Sequence, residues 1–347
     1  MAYSQTGDSS VLRLVERDIP DPGPGEVRVR IVVSGVNPTD WKARAGARPG
    51  APTPFPEIVP NQDGAGVVDA VGSGVTKFEA GDRVWVFLAA HERPTGTAQE
   101  FTVLPAARVI RLPDAASFEL GASLGVPAMT AHRALTVADG GPARLGPGAL
   151  DGRTVLVAGG AGAVGHAAIQ LARWSGATVI TTVSSAEKAS LASAAGAHHV
   201  VNYREGDTAE AIRAIAPDGV DSIVEVSPAR NAALNARVIA NHGTVAVYST
   251  DGGAEMMLDV RRHFALNVRY QFLLLYTVGE AALEAAAADV SRAVADGALP
   301  VGEAAGLPLT RHPLERTAEA HDAVESGAVG KVLIDVSTDA ASSTPAG

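Results

Sequence analysis

The sequence predicts an α/β protein in which a β-rich domain is joined to a doubly wound parallel sheet. Three observations support this. The chain has 347 residues, enough for two domains. Its first part contains many short apolar segments between glycine and proline turns, which is typical of a β-rich domain. From residue 154 onward, apolar strand segments alternate with helical segments, which is typical of a doubly wound sheet.

The second domain is organised around a glycine turn. Residues 153–165 read RTVLVAGGAGAVG, an apolar strand that runs directly into glycines at the G-x-G-x-x-G spacing, and a helix with one apolar face follows. This context predicts a dinucleotide site, because the N–H groups and dipole of a helix N-terminus favour a pyrophosphate. The alternative is an ordinary strand-to-helix turn. The predicted cofactor contacts in the turn are Gly160, Gly162, Ala163, Val164 and Gly165.

The other elements follow from the periodicity of apolar residues. In the first domain we predict strands at 26–36, 62–75, 81–87 and within 98–113, a polar loop of short helical character at 37–46, and a helix at 117–135. The nucleotide domain has predicted strands at 154–158, 177–185, 198–203, 221–227 and 243–249, and predicted helices at 164–174, 186–195, 207–216 and 229–240. The C-terminal part has a predicted strand at 266–276, helices at 279–296 and 312–327, and a strand at 331–336.

These elements divide the chain into four parts. We predict a β-rich catalytic domain at 1–125, a nucleotide-binding domain at 126–265, a C-terminal part at 266–336 that rejoins the catalytic domain, and a disordered polar tail at 337–347. The apolar segment 266–276 has few evident partners within its domain, so we predict that it pairs with its own copy across a two-fold axis and forms a homodimer.

Charge and composition limit the partners and the chemistry. The formal net charge of -10 argues against nucleic acid or an anionic membrane as partner. No apolar run is long enough to span a bilayer and residues 1–10 do not resemble a signal peptide, so we expect a cytoplasmic protein. Cysteine is absent, which excludes thiolate nucleophiles and cysteine-ligated zinc. The nine histidines form no metal-like cluster with carboxylates, so no metal site is expected.

The end of the second nucleotide-domain strand predicts which dinucleotide binds. An NAD enzyme carries Asp or Glu there to bind the ribose 2′-hydroxyl. This chain has Ser184 and Ser185, followed by Lys188, and hydroxyls with an ammonium suit a 2′-phosphate. We therefore predict NADPH. Glu187 complicates this interpretation unless it faces water, and the alternative for Lys188 is a solvated lysine at a helix start.

Several stretches resemble the zinc-free medium-chain dehydrogenases/reductases of the quinone oxidoreductase, or zeta-crystallin-like, branch. They occur in family order: GVNPTDWKARAG (35–46), DGAGVVDAVGSGVTKFEAGDRV (63–84), GVPAMTAHRAL (125–135), AGGAGAVGHAAIQLA (158–172), GAHHVVNYRE (196–205) and GAVGKVLIDV (327–336). The resemblance implies a GroES-like catalytic domain, an inserted Rossmann domain and a homodimer. The zinc-dependent branch carries a cysteine where this chain has Asn37, and Gly-His-Glu where it has Gln62, Asp63 and Gly64.

The resemblance also implies roles for individual residues. Asn37 is expected beside the nicotinamide, Thr130 near the cofactor, and Lys188 and Tyr203 at the 2′-phosphate. The residues expected to line the nicotinamide side after the fifth strand are Tyr248, Ser249 and Thr250. Lys42 and Arg48 replace tyrosines of bacterial quinone reductases, and the segment 89–99 also differs, so the preference for quinones is open.

No catalytic residue is identified from the sequence; the candidates are Asn37, Lys42 and Arg48. The two cations could stabilise developing negative charge, or they are simply solvated loop charges. Without zinc the small-molecule electron acceptor must already be electron-poor. This favours an NADPH:quinone reductase. The alternatives are an NADPH-dependent enone, enoyl or 2-alkenal reductase, for example one of secondary metabolism, and an NADPH-binding structural or regulatory protein with little turnover.

The first test concerns cofactor choice. A charge-assisted hydrogen bond between Lys188 and a 2′-phosphate is worth on the order of 1.5–3 kcal/mol. Lys188→Ala should therefore weaken NADPH binding by about one to two decades and leave NADH unaffected. Adding Ser185→Asp should extend the shift, because a carboxylate repels the phosphate and accepts from a 2′-hydroxyl. We expect kcat/KM for both cofactors to show this; equal losses for NADPH and NADH would contradict it.

Overall fold

The computed structural model describes residues 1–337, and these form two compact units. One consists of residues 1–126 and 309–337, the other of residues 127–308. The division differs from the predicted one at a single place, because residues 266–308 lie with the nucleotide unit and only the segment from Leu309 rejoins the first unit. The predicted tail, 337–347, lies outside the described residues except for its first residue.

The elements are as follows, in chain order. Residues 1–135 contain β1 (Glu26–Val36), α1 (Pro38–Ala45), β2 (Asp63–Val71), β3 (Arg83–Val86), β4 (Phe101–Pro105), β5 (Val109–Arg111) and α2 (Phe118–Leu135). Next come β6 (Thr154–Ala158), α3 (Ala163–Trp174), β7 (Thr178–Val183), α4 (Ala186–Ala194), β8 (His199–Asn202), α5 (Thr208–Ile215), β9 (Val220–Glu225), α6 (Pro228–Val238), β10 (Ile239–Val247), α7 (Val260–Ala265), β11 (Arg269–Phe272) and α8 (Glu280–Ala295). The last are β12 (Leu309–Pro313), α9 (Thr317–Glu325) and β13 (Lys331–Asp335).

The first unit is built on a mostly antiparallel sheet. Its strand order is β12-β13-β1-β2-β3-β5, and β4 also pairs with β1. Within the described part of this sheet, only the pairing of β12 with β13 is parallel. In β1 the alternating residues Val27, Val29 and Ile31 are fully buried and pack with residues of β2 to β5. The alternation that predicts β1 from sequence therefore also places its core face.

The second unit is a parallel sheet with the order β11-β10-β9-β6-β7-β8. Its core includes the fully buried residues Ile180, Ile223 and Val245. β6 lies between β7 and β9, where the direction of strand addition reverses. Ligands of such sheets bind at the carboxyl ends of the strands at this point, and the glycine turn directly follows β6. The predicted α/β fold class is confirmed.

Contacts of β11 and α8 explain why residues 266–308 stay with the second unit. β11 pairs in parallel with β10. In α8 the buried Asp289 carboxylate accepts a hydrogen bond from the amide of Leu145 at 2.7 Å and from Arg144 Nε at 2.9 Å, and it lies 2.8 Å from His132 Nε2. A buried carboxylate requires such partners, so α8 is fixed to this unit.

Two predicted elements differ most from the structure, and smaller differences are the start of β10 at Ile239, inside the predicted helix 229–240, and the helix α1 in the predicted loop 37–46. The strand predicted at 266–276 is shortened to β11, four residues long. The helix predicted at 312–327 starts only at Thr317, because β12 occupies Leu309–Pro313 and pairs with β13. Pro313 contributes to this difference, since the residue before a proline prefers extended backbone over helix.

Among residues 1–337, no helix combines the length and the apolar character needed to cross a bilayer.

Candidate functional site

The glycine turn after β6 has the local geometry of an anion site. Gly162 is the N-cap residue of α3. A Cβ on Gly160 would lie 2.2 Å from Thr181 Oγ1, and a Cβ on Gly165 would lie 2.3 Å from the carbonyl oxygen of Gly159. At Gly162 the nearest atom would be 3.5 Å away. Packing thus requires two of the glycines, whereas Gly162 leaves space in front of the helix.

The first turn of α3 faces this space. Gly162 is exposed, and Ala163 and Val164 are partly exposed. Amide groups in the first turn of a helix have no acceptor within the helix, and they lie at the positive end of its dipole. The residues present therefore fit a dinucleotide pyrophosphate. The contact of each of these residues with the cofactor stays a prediction.

The end of β7 carries the predicted phosphate-binding residues. Ser185 is the N-cap of α4, and its Oγ accepts a hydrogen bond from the Lys188 amide at 3.3 Å. The Ser185 hydroxyl hydrogen remains available to a ligand. Ser184 and Lys188 are partly buried, and Glu187 is exposed in the first turn of α4. Because the Glu187 side chain faces water, its negative charge is screened and does not prevent a phosphate from binding at this strand end.

Tyr203 lies beside this corner. Its amide donates to the carbonyl oxygen of Val183, the last residue of β7, at 3.0 Å. Its side chain is 50% exposed, so ordinary core packing does not explain it. The next residue, Arg204, is also exposed and adds a second cation at the end of β8. Arg204 was not predicted from the sequence, although a basic residue directly after a predicted strand could have indicated it.

The carboxyl end of β9 contains a buried carboxylate that was not predicted. Glu225 is fully buried, and its carboxylate accepts hydrogen bonds from the Ser227 amide at 2.6 Å, Asn231 Nδ2 at 2.9 Å and Asn235 Nδ2 at 2.6 Å. These donors hold the start of α6 against the strand end. The sequence signal was an acidic residue inside the apolar run DSIVEVS.

The segment after β10 lies against Glu225. The Tyr248 amide donates to the Glu225 carbonyl oxygen at 3.1 Å, and burial, followed by the nearby Glu225, raises the pKa of the Tyr248 phenol well above its usual range. Ser249 Oγ donates to Asp251 Oδ1 at 3.1 Å, and Thr250 is exposed. Thr130 is buried in α2.

In the first unit, Asn37 lies in a buried polar cluster. It is the N-cap residue of α1, and its side chain is almost completely buried. Its Nδ2 donates to Asp63 Oδ2 at 2.7 Å, and its Oδ1 accepts from Lys331 Nζ at 2.7 Å. Lys331 Nζ lies 3.8 Å from Asp63 Oδ2. The amide is therefore held between a cation and an anion, which fixes the positions of its oxygen and nitrogen.

Asp63 is held by α2 as well. The Val126 amide donates to both carboxylate oxygens at 2.9 Å. A Cβ on Gly125 would lie 2.0 Å from Asp63 Oδ1, so this close approach requires glycine. Pro127 follows and has no N–H to continue the helical ladder. The contact with Asp63 thus explains the glycine at 125.

Asp40 joins the cluster through the backbone. Its Oδ2 accepts from the Asn37 amide at 2.7 Å, and its Oδ1 accepts from the Gln62 amide at 3.1 Å. Burial, followed by the neighbouring Asp63 charge, raises the pKa of Asp40 to about 8. Between the ordinary value and about 8, the folded protein keeps a proton that the unfolded chain releases. The contribution of Asp40 to stability therefore falls as pH rises through that window.

Burial acts on the other two ionisable groups in opposite directions. It raises the pKa of Asp63 and lowers that of Lys331. The attraction between the two groups and the hydrogen bonds to Asp63 oppose both shifts. Lys331 is the principal residue that sequence reasoning missed, because a lysine at the start of a strand is usually exposed.

The two predicted loop cations are exposed. Lys42 Nζ lies 5.7 Å from the centre of the Trp41 ring, a cation–π contact. Arg48 is exposed, and its carbonyl oxygen accepts from Thr6 Oγ1 at 2.7 Å. Neither cation belongs to the buried cluster around Asn37.

The residues of the cluster do not fit a zinc ion. Among residues 1–337, no group of three or more histidine, aspartate or glutamate side chains could hold a metal. Asn37 stands where the zinc-dependent branch carries its cysteine, and Asp63 where it carries the histidine of Gly-His-Glu. The Asn37 oxygen already accepts from the Lys331 ammonium, and the Asp63 carboxylate accepts from Asn37 and from the Val126 amide. An amide is not a usual zinc ligand, and a cation beside the site opposes metal binding.

Two family models match the chain. One, described as an alcohol dehydrogenase GroES-like domain, matches residues 23–114, and the other, described as a zinc-binding dehydrogenase, matches residues 163–291. Quinone oxidoreductase from Rattus norvegicus is 31% identical over 336 residues, which is 94% of each chain.

Solved structures agree with this match. An NAD-dependent alcohol dehydrogenase is 30% identical with a TM-score of 0.83, and 97% of this chain and 100% of that chain are covered. A mycobacterial protein complexed with NADPH is 31% identical with a TM-score of 0.79, covering 96% and 98%. A 2-haloacrylate reductase is 28% identical with a TM-score of 0.76, covering 96% and 99%. The chain belongs to the quinone oxidoreductase family of the medium-chain dehydrogenases/reductases.

Proposed function

We propose that this protein is an NADPH-dependent reductase that transfers a hydride to a quinone. The oxidoreductase class follows from family membership. NADPH is the cofactor, as the sequence predicts, since the mycobacterial relative is complexed with it and this chain has two serines and a lysine at the phosphate-binding strand end. The observation that carries the choice of acceptor is the Asn37 cluster, where an amide held by Lys331 stands in place of a zinc ligand.

The second unit supplies the cofactor contacts in this proposal. Gly162, Ala163 and Val164 would hold the pyrophosphate, and Ser184, Ser185, Lys188 and Tyr203 the 2′-phosphate. When bound, NADPH supplies the hydride. The exposed Arg204 would add a further charge-assisted hydrogen bond at the phosphate. Thr130 would lie near the cofactor, and the segment Tyr248–Thr250 would line the nicotinamide side, as the family resemblance implies.

Asn37 would act on the acceptor side of the reaction. One Nδ2 hydrogen and one Oδ1 lone pair are used by Asp63 and Lys331, so one hydrogen and one lone pair remain for a ribose hydroxyl or an acceptor oxygen. The Lys331 ammonium on Oδ1 polarises the amide and makes its free N–H a better donor. A hydrogen-bond donor is weaker than a metal ion, so an electron-poor acceptor is needed.

An enone is the second candidate acceptor. The similarity to a 2-haloacrylate reductase supports it, because an activated carbon–carbon double bond accepts hydride as a quinone does. Both acceptors need a hydride at one atom and a proton at another, and neither needs a Lewis acid. The exposed Lys42 and Arg48 in place of aromatic residues support this wider range of acceptors.

The second test is an acceptor screen. Purified protein is assayed for NADPH oxidation with 1,4-naphthoquinone, trans-2-hexenal and benzaldehyde, before and after treatment with a zinc chelator. We expect turnover with the quinone, slower turnover with the enal, none with the simple aldehyde, and no effect of chelation. Faster turnover of the enal would favour the second candidate.

Other results of the screen would contradict the proposal. Loss of activity on chelation with recovery on adding zinc would refute a zinc-independent site. NADPH binding without turnover of any acceptor would instead support a structural or regulatory protein.

We also propose that the protein is a homodimer formed through β11. This strand lies at the edge of its sheet, and no described strand pairs with its outer side. Large apolar side chains around it are exposed: Met257 (89%), Val260 (76%), Phe264 (82%), Phe272 (59%) and Leu274 (57%). An unpaired edge with an apolar surface is the usual template for pairing with another chain.

The third test therefore concerns assembly. Light scattering at micromolar concentration should give twice the chain mass for the wild type. Leu274→Glu should shift the protein to monomer, because it places a charge beside the paired edge. Leu14→Glu is the matched control, since Leu14 is 59% exposed in the first unit and Leu274 is 57% exposed in the second. A monomeric wild type, or equal effects of both variants, would contradict the proposed interface.

A further inference from the structure

A cavity of about 440 Å³ lies within the first unit. Part of its wall is apolar and comes from the proline-rich segment before β2, including Pro54, Phe55 and Ile58. Tyr3 and Gln62, whose side chains carry polar groups, also line the cavity. Cavities of about 300–1,000 Å³ with mostly apolar walls and a few polar groups are typical of small-molecule sites.

Tyr3 reaches the cavity because the N-terminal segment pairs with the proline-rich segment. The Tyr3 amide donates to the Ile58 carbonyl oxygen at 2.9 Å, and the Ile58 amide donates to the Tyr3 carbonyl oxygen at 2.8 Å. Tyr3 is 6% exposed and lines the cavity. Burial raises the pKa of Tyr3 to about 12, so the phenol stays a hydrogen-bond donor at neutral pH.

Gln62 provides the complementary acceptor. It is 8% exposed, and its backbone is fixed by bonds to Asp40 Oδ1 and from the Ala89 amide. Its Oε1 is buried and has no hydrogen-bond partner in the described part of the chain. An unpaired buried acceptor is unfavourable, and a ligand hydroxyl would relieve this cost.

Residues on the cavity wall are held in place by contacts within the first unit. Asn61 and Glu92, both on the wall, have φ of 78° and 56°, which non-glycine residues rarely adopt. The Nδ2 of Asn61 donates to Ser34 Oγ at 3.0 Å, and its Oδ1 lies 3.0 Å from His321 Nε2. These hydrogen bonds fix the wall at Asn61.

The charges on the wall favour a neutral ligand. Arg93 lines the cavity, and its Nη2 pairs with Glu26 at 2.7 Å, while its buried Nε has no hydrogen-bond partner in the described part of the chain. Asp40 and Glu92 are carboxyl groups on the same wall. The wall therefore carries no excess of positive charge for a carboxylate ligand, whereas a neutral molecule could use both Tyr3 and Gln62. Asp40 also links the cavity to Asn37, because the backbone amide of Asn37 donates to the Asp40 carboxylate at 2.7 Å.

We propose that this cavity binds a neutral ring compound that carries a carbonyl oxygen and a separate hydroxyl group. The Tyr3 hydroxyl donates a hydrogen bond to the carbonyl oxygen of the ligand, and the hydroxyl of the ligand donates to Gln62 Oε1. The next step rests on the proposed function: the ligand is the hydride acceptor, so the substrate class is a hydroxylated quinone or hydroxylated cyclic enone. Anionic acceptors such as acrylates are disfavoured.

Binding of redox-inert probes tests the proposal without turnover. Calorimetry measures the Kd of 1-tetralone and of its 5-, 6- and 7-hydroxy derivatives with wild-type protein. One additional hydrogen bond corresponds to about a three- to tenfold gain, so at least one hydroxytetralone should bind that much tighter than 1-tetralone. Tyr3→Phe should weaken all probes by a similar factor, because all share the carbonyl.

Variants at two glutamines complete the test. Gln62→Met should remove the gain from the hydroxyl while keeping the affinity for 1-tetralone. Gln5→Met is the control, because Gln5 is exposed and lies outside the cavity wall. Circular dichroism verifies that each variant is folded. The proposal is overturned if no hydroxytetralone binds wild-type protein tighter than 1-tetralone, or if the gain persists in Gln62→Met. A failed acceptor screen alone would refute the reductase function and leave this binding result intact.

Discussion

The first unit depends on the buried contact between Lys331 and Asn37. A fully buried ammonium is tolerated only with acceptors close by, and here they are the Asn37 oxygen at 2.7 Å and Asp63 at 3.8 Å. Lys331 is the first residue of β13, so the chain must return to β1 after completing the nucleotide unit. A Cβ on Gly35 would lie 2.1 Å from the Ala122 carbonyl oxygen, so the close approach of α2 requires the glycine in β1, and Lys331 Cε would lie 3.1 Å away. The contact between Lys331 and Asn37 thus joins chain topology and the candidate site.

The two units build their candidate sites from residues that are related differently in the sequence. The nucleotide unit uses local features, since a strand end, a glycine turn and a helix N-terminus are contiguous in sequence. The first unit brings together residues distant in sequence: Asn37, Asp63 and Lys331 belong to the start of α1, β2 and β13. Polar groups buried in this way are held rigidly, which suits a site that must orient an acceptor.

This difference explains what could be predicted from the sequence. The glycine turn after β6 and the serine-rich end of β7 could be located because their residues follow one another with fixed spacing, and their contacts with the cofactor stay predictions. Asn37 was found only through family resemblance. Lys331 and Tyr3 were missed, because the contact of Lys331 spans 294 residues and the pairing of Tyr3 with Ile58 is an isolated bridge without periodicity. The extent of β11 and the start of α9 were misjudged where pairing of strands decided the ends of elements.

The most direct test of the account is whether Lys331 acts through Asn37. We would measure kcat/KM for quinone reduction by Asn37→Ala, Lys331→Met and the double variant, with Lys331→Arg as the conservative comparison. Residues that act as a unit show strongly non-additive effects. If each single change lowers kcat/KM by about 10- to 100-fold, the double variant should lose no more than the worse single variant, and Lys331→Arg should recover part of the loss. Independent, multiplicative losses would contradict the account.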